Sequence, residues 1–237
     1  MASGKAFLGE LFGKLFFRQA QIVALSEPGP FRRMTLEGVQ LRDVAWTPGD
    51  KVQVFLPAHG MRTYTPLSWD PKRGVTELLV FLHGDSPGAL WGRKAQVGDA
   101  VQFFGPRRSI DADALPARVV LFGDETSFAV ASALRTKLGA DQLACVFEVT
   151  PEHAAQPVLS ALQLEASVTV AKRSDDSHLG DVHGRLAELT ARAAGAQLVM
   201  TGRAAAIQAL RARMKRDGGT RVAASKAYWA LGKRGLD

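Results

Sequence analysis

The pattern of this chain changes near residue 105, and that change constrains the fold more than any single motif. Upstream, short runs of alternating apolar and polar residues are separated by turns such as Pro28-Gly29-Pro30 and Pro48-Gly49-Asp50. Period-two alternation places one side of each run on a core, so strands are predicted over 21–25, 32–37, 51–56, 64–67, 77–83 and 100–104. With one short helix over 90–95, these make a small antiparallel barrel. Downstream, apolar runs alternate with helical periodicity. Strands are predicted over 118–122, 143–149, 168–171 and 197–201, with helices over 126–138, 158–162, 186–194 and 203–215, the pattern of a doubly wound parallel sheet. Between the halves, Arg107-Arg108-Ser109 with nearby acids and prolines reads as a linker. The predicted organisation is an N-terminal helix over 1–20, a barrel over 21–106, a linker over 107–117, and an α/β domain over 118–237 that ends in an aromatic segment.

Composition narrows the chemistry. Hydrophobic residues make up 46% and charged residues 22% of the 237, a globular balance. Cys145 is the single cysteine and sits in an apolar run, so the sequence offers no internal disulfide and no cysteine cluster for zinc or iron–sulfur. Any electron chemistry then belongs to an organic cofactor. The net charge of +7 is scattered among segments without a basic helix carrying interleaved aromatics, which argues against nucleic acid and for small anionic ligands. No transmembrane span is predicted. Near the N-terminus Phe7, Leu8, Leu11, Phe12, Leu15 and Phe16 share one helical face opposite Lys5, Glu10 and Lys14. Two readings stay open for that helix: packing on the barrel or across a dimer, and resting on the inner membrane through residues 5–16.

The stretch from Arg62 to Pro106 carries the strongest chemical signal. On an extended segment Arg62 and Tyr64 point to one side. A guanidinium there suits a phosphate, a phenol ring suits a flat tricyclic ring, and Thr65 offers an N–H or hydroxyl to that ring's polar edge. His83-Gly84 ends an apolar strand. Gly88, Ala89, Leu90 and Trp91 then form a turn of small residues entering a helix, whose amides and dipole favour a pyrophosphate. Together these residues suit a flavin dinucleotide.

The first βα turn of the second half is Gly123-Asp124-Glu125-Thr126, which is not a Gly-x-Gly-x-x-Gly loop. Its acids fit both a ligand-facing turn at a sheet's carboxyl edge and simple helix capping. Lys172-Arg173-Ser174, ending the third strand, suits a ribose 2′-phosphate and tilts the donor toward NADPH over NADH. His178, Asp181 and His183 read as a solvated polar loop rather than a metal site.

These motifs, with Gly98-Asp99, Gly105-Pro106 and the terminal Tyr228-Trp229-Ala230-Leu231-Gly232, resemble the siderophore-interacting protein family from about residue 21 onward. The resemblance implies a ferredoxin-reductase-like fold, with a flavin-binding β-barrel followed by an NAD(P)-binding α/β domain. It further implies FAD, NAD(P)H or a ferredoxin as donor, a ferric siderophore as substrate, and a cytoplasmic location. The turn at 123–126 then faces the flavin and nicotinamide, and Tyr228 and Trp229 lie over the flavin or at the substrate mouth. Arg107, Arg108, Lys226 and Lys233 are basic candidates for an anionic siderophore. The sequence departs from the family where Pro66-Leu67 follows Arg-x-Tyr-Thr, where Leu90 replaces a serine, and where Gly202-Arg203 replaces Gly-Glu. Two alternatives remain: a general NAD(P)H- or ferredoxin-linked flavin electron-transfer protein, and a non-catalytic siderophore-binding module.

Overall fold

A computed structural model describes residues 17–57, 59–218 and 221–232. The amphipathic helix expected around residues 5–16 lies outside these, as does Lys233. The first unit is a seven-stranded antiparallel sheet of β1 (Phe17–Ser26), β2 (Phe31–Glu37), β3 (Lys51–Leu56), β4 (Gly60–Tyr64), β5 (Ser68–Asp70), β6 (Val75–Phe81) and β7 (Ala100–Arg107). The strands lie in the order β4-β3-β7-β1-β2-β6-β5. The sheet rolls so that β4 also approaches β6, and Ile22, Met34, Leu36, Leu78 and Phe103 fill its interior. One helix, α1 (Pro87–Lys94), lies on β6.

The second unit is a five-stranded parallel sheet in the order β10-β9-β8-β11-β12, formed by β8 (Val119–Gly123), β9 (Leu143–Val149), β10 (Val168–Ala171), β11 (Gln197–Arg203) and β12 (Val222–Trp229). Helices α2 (Phe128–Leu138) and α3 (Glu152–Ala161) cover one face, while α4 (Leu179–Arg192) and α5 (Ala204–Arg216) cover the other. Both faces are therefore dry, and the strands read as continuous apolar runs. Along β8, Val119 and Leu121 point to one cluster while Val120 and Phe122 point to the other.

An aromatic seam joins the two units. Phe31 stacks on Phe81 at 4.8 Å and on Phe128 at 5.4 Å, and Phe128 meets Phe147 edge-on at 4.7 Å. Leu67, Leu79, Ile110 and Ala112 join the same buried cluster. Offset and edge-to-face rings pack densely without polar atoms, so this seam fixes how the sheets meet.

Several sequence expectations need correction. Residues 17–20 belong to β1 rather than to a helix. They pair with β7 from Phe17↔Phe104 to Ala20↔Val101, and ladder hydrogen bonds outweigh a helical pattern that stops at Phe16. The strand expected over 64–67 instead ends at Tyr64, and the buried residues Thr65 and Leu67 turn the chain into β5. The segment over 107–117 is not a free connector, because Ile110 and Ala112 are buried. His178, Asp181 and His183 do not form a solvated loop: α4 begins at Leu179, and His178 is 1% exposed. Helix α3 begins six residues earlier than expected. The aromatic C-terminal segment is the fifth parallel strand, which the sequence reading did not assign.

Gly184 lies inside α4 with open space where a Cβ would stand. Gly184→Ala should therefore stabilise the protein by about 0.5–1 kcal/mol through lost backbone entropy in the unfolded chain. A raised urea midpoint with unchanged slope is the expected readout.

Candidate functional site

Tyr64, the last residue of β4, pairs with Val52 and places its ring against α1. Its hydroxyl sits where Gly88 lacks a side chain: a Cβ on Gly88 would come within 2.7 Å of that oxygen. Trp91, one helical turn on, holds the same ring at 5.8 Å. Burial pushes the phenol well above its usual range, partly opposed by the nearby Arg62 guanidinium, so Tyr64 stays a neutral donor. Arg62 is half-buried, and its Nη1 donates to the carbonyls of His59 (3.0 Å) and Met61 (2.7 Å).

The start of α1 is built by local chemistry. Ser86 is the N-cap in an extended conformation and accepts the Ala89 N–H at 3.3 Å, and Pro87 occupies the first position, where no N–H is needed. Gly92 lets the helix lie flat, since a Cβ there would be 2.7 Å from Leu82 and 2.9 Å from Val80. Arg93 reaches back to the Gly84 carbonyl at 2.7 Å and to Asp85 at 3.2 Å, which shapes the turn carrying His83 and Gly84. Leu90 is half-buried beside them.

Across from this edge lies the turn after β8. Gly123 is required by packing, because a Cβ would sit 2.3 Å from Ser127 Cβ. Asp124 is fully buried; its Oδ1 accepts from the Thr126 N–H (2.9 Å) and hydroxyl (2.5 Å), and its Oδ2 accepts from Trp229 Nε1 (2.7 Å). Gly202, with φ of 96°, packs against the Asp124 carboxylate. Glu125 accepts the Thr150 N–H at 2.6 Å and pairs with Lys172. Burial raises the Glu125 carboxyl, with the Lys172 ammonium pulling the other way. Both acids thus bond to protein partners, as capping and packing groups.

Tyr228, near the end of β12, brings a buried hydroxyl that makes no well-formed hydrogen bond and lies close to Thr65. Burial pushes this phenol up as well, and the neighbouring Asp124 carboxylate adds to the shift. His83 stacks on Phe81 at 4.8 Å. Burial lowers its pKa first and the facing Lys172 ammonium second, while Asp124 pulls it up. Residues of the first unit (Thr65 and His83) therefore meet residues of the second (Asp124, Lys172 and Tyr228) at the junction of the two units.

The structure separates one pair that the sequence joins. Lys172 turns toward Glu125, whereas Arg173 stays exposed at the end of β10, with its Nη1 3.4 Å from the Ser177 hydroxyl. Of the basic residues considered for an acidic substrate, Arg107 bonds to Gln53 and lies over the Phe104 ring at 4.7 Å, and Arg108 pairs with Asp111 at 3.1 Å. Sequence reading missed Thr201, whose hydroxyl donates to Ser127 Oγ at 2.8 Å beneath the 123–126 turn. It also missed the buried Glu148, although one acid inside an apolar strand signals a hidden partner.

The antiparallel sheet followed by a parallel five-stranded sheet gives this chain a two-domain fold of the ferredoxin-reductase-like type. Residues 58–110, which hold the Arg62–Thr65 segment and α1, match the family model of the siderophore-interacting FAD-binding domain. The resemblance read from the sequence is borne out over this region. Among solved structures, the chain is similar to a siderophore utilization protein from T. fusca, with 22% identity and a TM-score of 0.70 over 93% of this chain and 95% of that one. It is also similar to the siderophore-interacting protein SipS from Aeromonas hydrophila, with 18% identity and a TM-score of 0.72 over 92% and 93% of the two chains. The Amycolatopsis cytochrome P450 reductase GcoB shares the fold at 16% identity and a TM-score of 0.68, over 92% of this chain and 71% of that one. The matched domain is of an FAD-binding type, and the solved structures share the fold. Among the described residues, no helix is long and apolar enough to cross a membrane.

Proposed function

We propose that this chain is an FAD-containing oxidoreductase that uses NAD(P)H to reduce ferric siderophores and releases iron as Fe(II). The observation that carries this reading is the meeting of Thr65 with the buried Tyr228 hydroxyl at the junction of the two units, next to the contact of Tyr64 with Gly88. The residues present fit a flavin. Tyr228 contributes a buried donor without a formed partner beside Thr65, as a polar ring edge requires. The approach of Tyr64 to Gly88 brings a neutral phenol to the helix end where a pyrophosphate is favoured.

In this reading Arg62 meets a phosphate and the Gly88 amide meets the pyrophosphate, while the Ala89 and Leu90 N–H groups, expected from the sequence to join it, are held by Ser86 and only line the turn. Tyr64, braced by Trp91, orients the ribityl side. The His83-Gly84 turn shapes the rim, Thr65 binds the ring's N5 edge, and Tyr228 covers the ring. The turn of Gly123 and Thr126 faces the ring, held rigid by Asp124 and Glu125 from behind. Trp229 acts through its bond to Asp124. Lys172 sets a positive charge at the junction, and Arg173 awaits the donor's ribose. The chemistry supplied by a bound flavin is the conversion of a two-electron donor into single-electron deliveries. Hard oxygen ligands hold Fe(III) far better than Fe(II), so reduction loosens the chelate. Electron transfer of this kind needs no side-chain acid or base.

The first test is the visible spectrum of the purified protein, recorded anaerobically with NADPH and then with a ferric siderophore. A flavin spectrum that bleaches and then recovers is expected. A flavin reduced only through a ferredoxin would shift the donor, and the fold shared with P450 and ferredoxin reductases makes a general electron-transfer role the second reading. That role predicts no preference for ferric siderophores over other one-electron acceptors. A protein that takes up no FAD would refute the proposal. Arg62→Ala is expected to weaken FAD retention by roughly tenfold, the worth of one charge-assisted contact, while Arg216→Ala on α5 should not. Flavin released on dialysis measures both.

A further inference from the structure

A second set of charges lies outside the junction of the two units, at the carboxyl edge of the parallel sheet. Glu148, next to last in β9, is 0% exposed. It accepts from Arg203 Nε at 3.1 Å, from Arg203 Nη2 at 3.2 Å and from His178 Nε2 at 2.8 Å. His178 Nδ1 accepts the Arg173 backbone N–H at 3.1 Å, so Nε2 carries the proton donated to Glu148. Arg203 also grips both oxygens of Asp176, at 3.0 and 2.6 Å. Asp176 has φ of 60°, a left-handed backbone that needs support from its surroundings.

Buried ion clusters are poor stabilisers, since apolar residues of similar volume usually do as well or better. What this cluster does accomplish is positional. His178 pins the backbone of Arg173, Arg203 pins Asp176, and Asp175 Oδ1 accepts the Ser177 N–H at 3.0 Å to close the turn between them. The turn leaves Arg173 and Ser174 on the outside, at the end of the third strand of an α/β unit. Lys172 is paired with Glu125, so Arg173 carries the cation of this turn that faces outward.

We propose that Arg203 is a positioning residue for the electron donor. By tying Asp176 to Glu148 it fixes the 173–178 turn so that the planar fork of Arg173, with the Ser174 hydroxyl, receives a ribose 2′-phosphate. This rests on the reading that the protein takes a reduced nicotinamide dinucleotide whose 2′-phosphate meets Arg173, and it adds the residue that holds that turn in place. A fork held in place loses less freedom on binding, which is where a rigid turn gains affinity.

The test titrates flavin-loaded protein calorimetrically with 2′,5′-ADP and with 5′-AMP, which differ by the 2′-phosphate. The wild type should bind 2′,5′-ADP at least roughly tenfold more tightly, as expected for a charge-assisted phosphate contact. Arg173→Ala should abolish the preference. Asp176→Asn keeps the side-chain shape, tolerates the left-handed backbone and preserves the Glu148–Arg203 pair, so it should fold normally. It and Arg203→Lys should shrink the preference to about two- to threefold, as the fork loses its fixed orientation, with 5′-AMP affinity unchanged. Equal binding of both probes by the wild type would overturn the phosphate assignment. A full preference retained in Asp176→Asn and Arg203→Lys would overturn the positioning role. If neither probe binds yet NADH reduces the flavin, this inference alone fails. If neither NADH nor NADPH reduces it, the donor reading fails with it.

Discussion

Arg203→Met should lower the stability of the protein by about 3–5 kcal/mol, because it removes one partner of a buried ion pair and leaves the other behind. Glu148 has no exposure and would retain His178 alone at 2.8 Å. A carboxylate cannot recover in a dry interior what it loses when a guanidinium fork leaves. In thermal unfolding the loss should read as a fall in Tm on the order of 10 °C. The double variant Arg203→Met with Glu148→Gln should recover most of it, since a neutral amide still accepts from His178 and no longer demands a cation. A single variant within about 0.5 kcal/mol of wild type would show that Glu148 does not depend on Arg203 for its stability in the interior.

Gly88→Ala is the corresponding experiment on the flavin side. Two effects oppose each other. Alanine in place of glycine favours the helix by about 1 kcal/mol. Against this, the added methyl would stand 2.7 Å from the Tyr64 oxygen, inside contact distance, and the ring cannot retreat past Trp91. Overpacking of this kind costs about 1–3 kcal/mol, so the clash prevails and the phenol is displaced. If Tyr64 and the first turn of α1 hold the flavin together, FAD affinity should fall by roughly tenfold or more, while the far-UV spectrum stays unchanged. Flavin fluorescence on titration with FAD measures it. Unchanged affinity would remove the Tyr64–Gly88 contact from the site.

The two experiments probe features of different legibility. Tyr64 and Gly88 were recognisable in order along the chain, one as a side chain on an extended segment and the other as a glycine in the turn before a helix expected at 90–95, which in fact begins at Pro87 on its Ser86 cap. Their mutual contact was not, since nothing local sets the distance between a strand end and a helix that starts 23 positions later. The charge cluster was less visible still. Glu148, Asp176, His178 and Arg203 come from three different strand ends, and His178 read as a loop residue because its neighbours are polar and its burial depends on the sheet above it.

By itself the sequence determined the two-part architecture, since period-two alternation and the strand–helix alternation are local properties of the chain. It also marked the segment from Arg62 to Pro106, which falls within the matched FAD-binding domain. Only the tertiary structure decided how the residues are used. It made the aromatic C-terminal segment a fifth strand, because the open edge of β11 supplies ladder partners from Leu198 to Arg203. It turned Lys172 toward Glu125 and left Arg173 outside, because Glu125 is buried and its carboxylate takes a cation from the end of β10, two strands away across the sheet edge. It made Asp124 and Glu125 internal braces, because a dry turn must satisfy its own backbone and side-chain groups. Each of these outcomes depends on low-dielectric burial among residues distant in sequence, a quantity that exists only once the chain has folded.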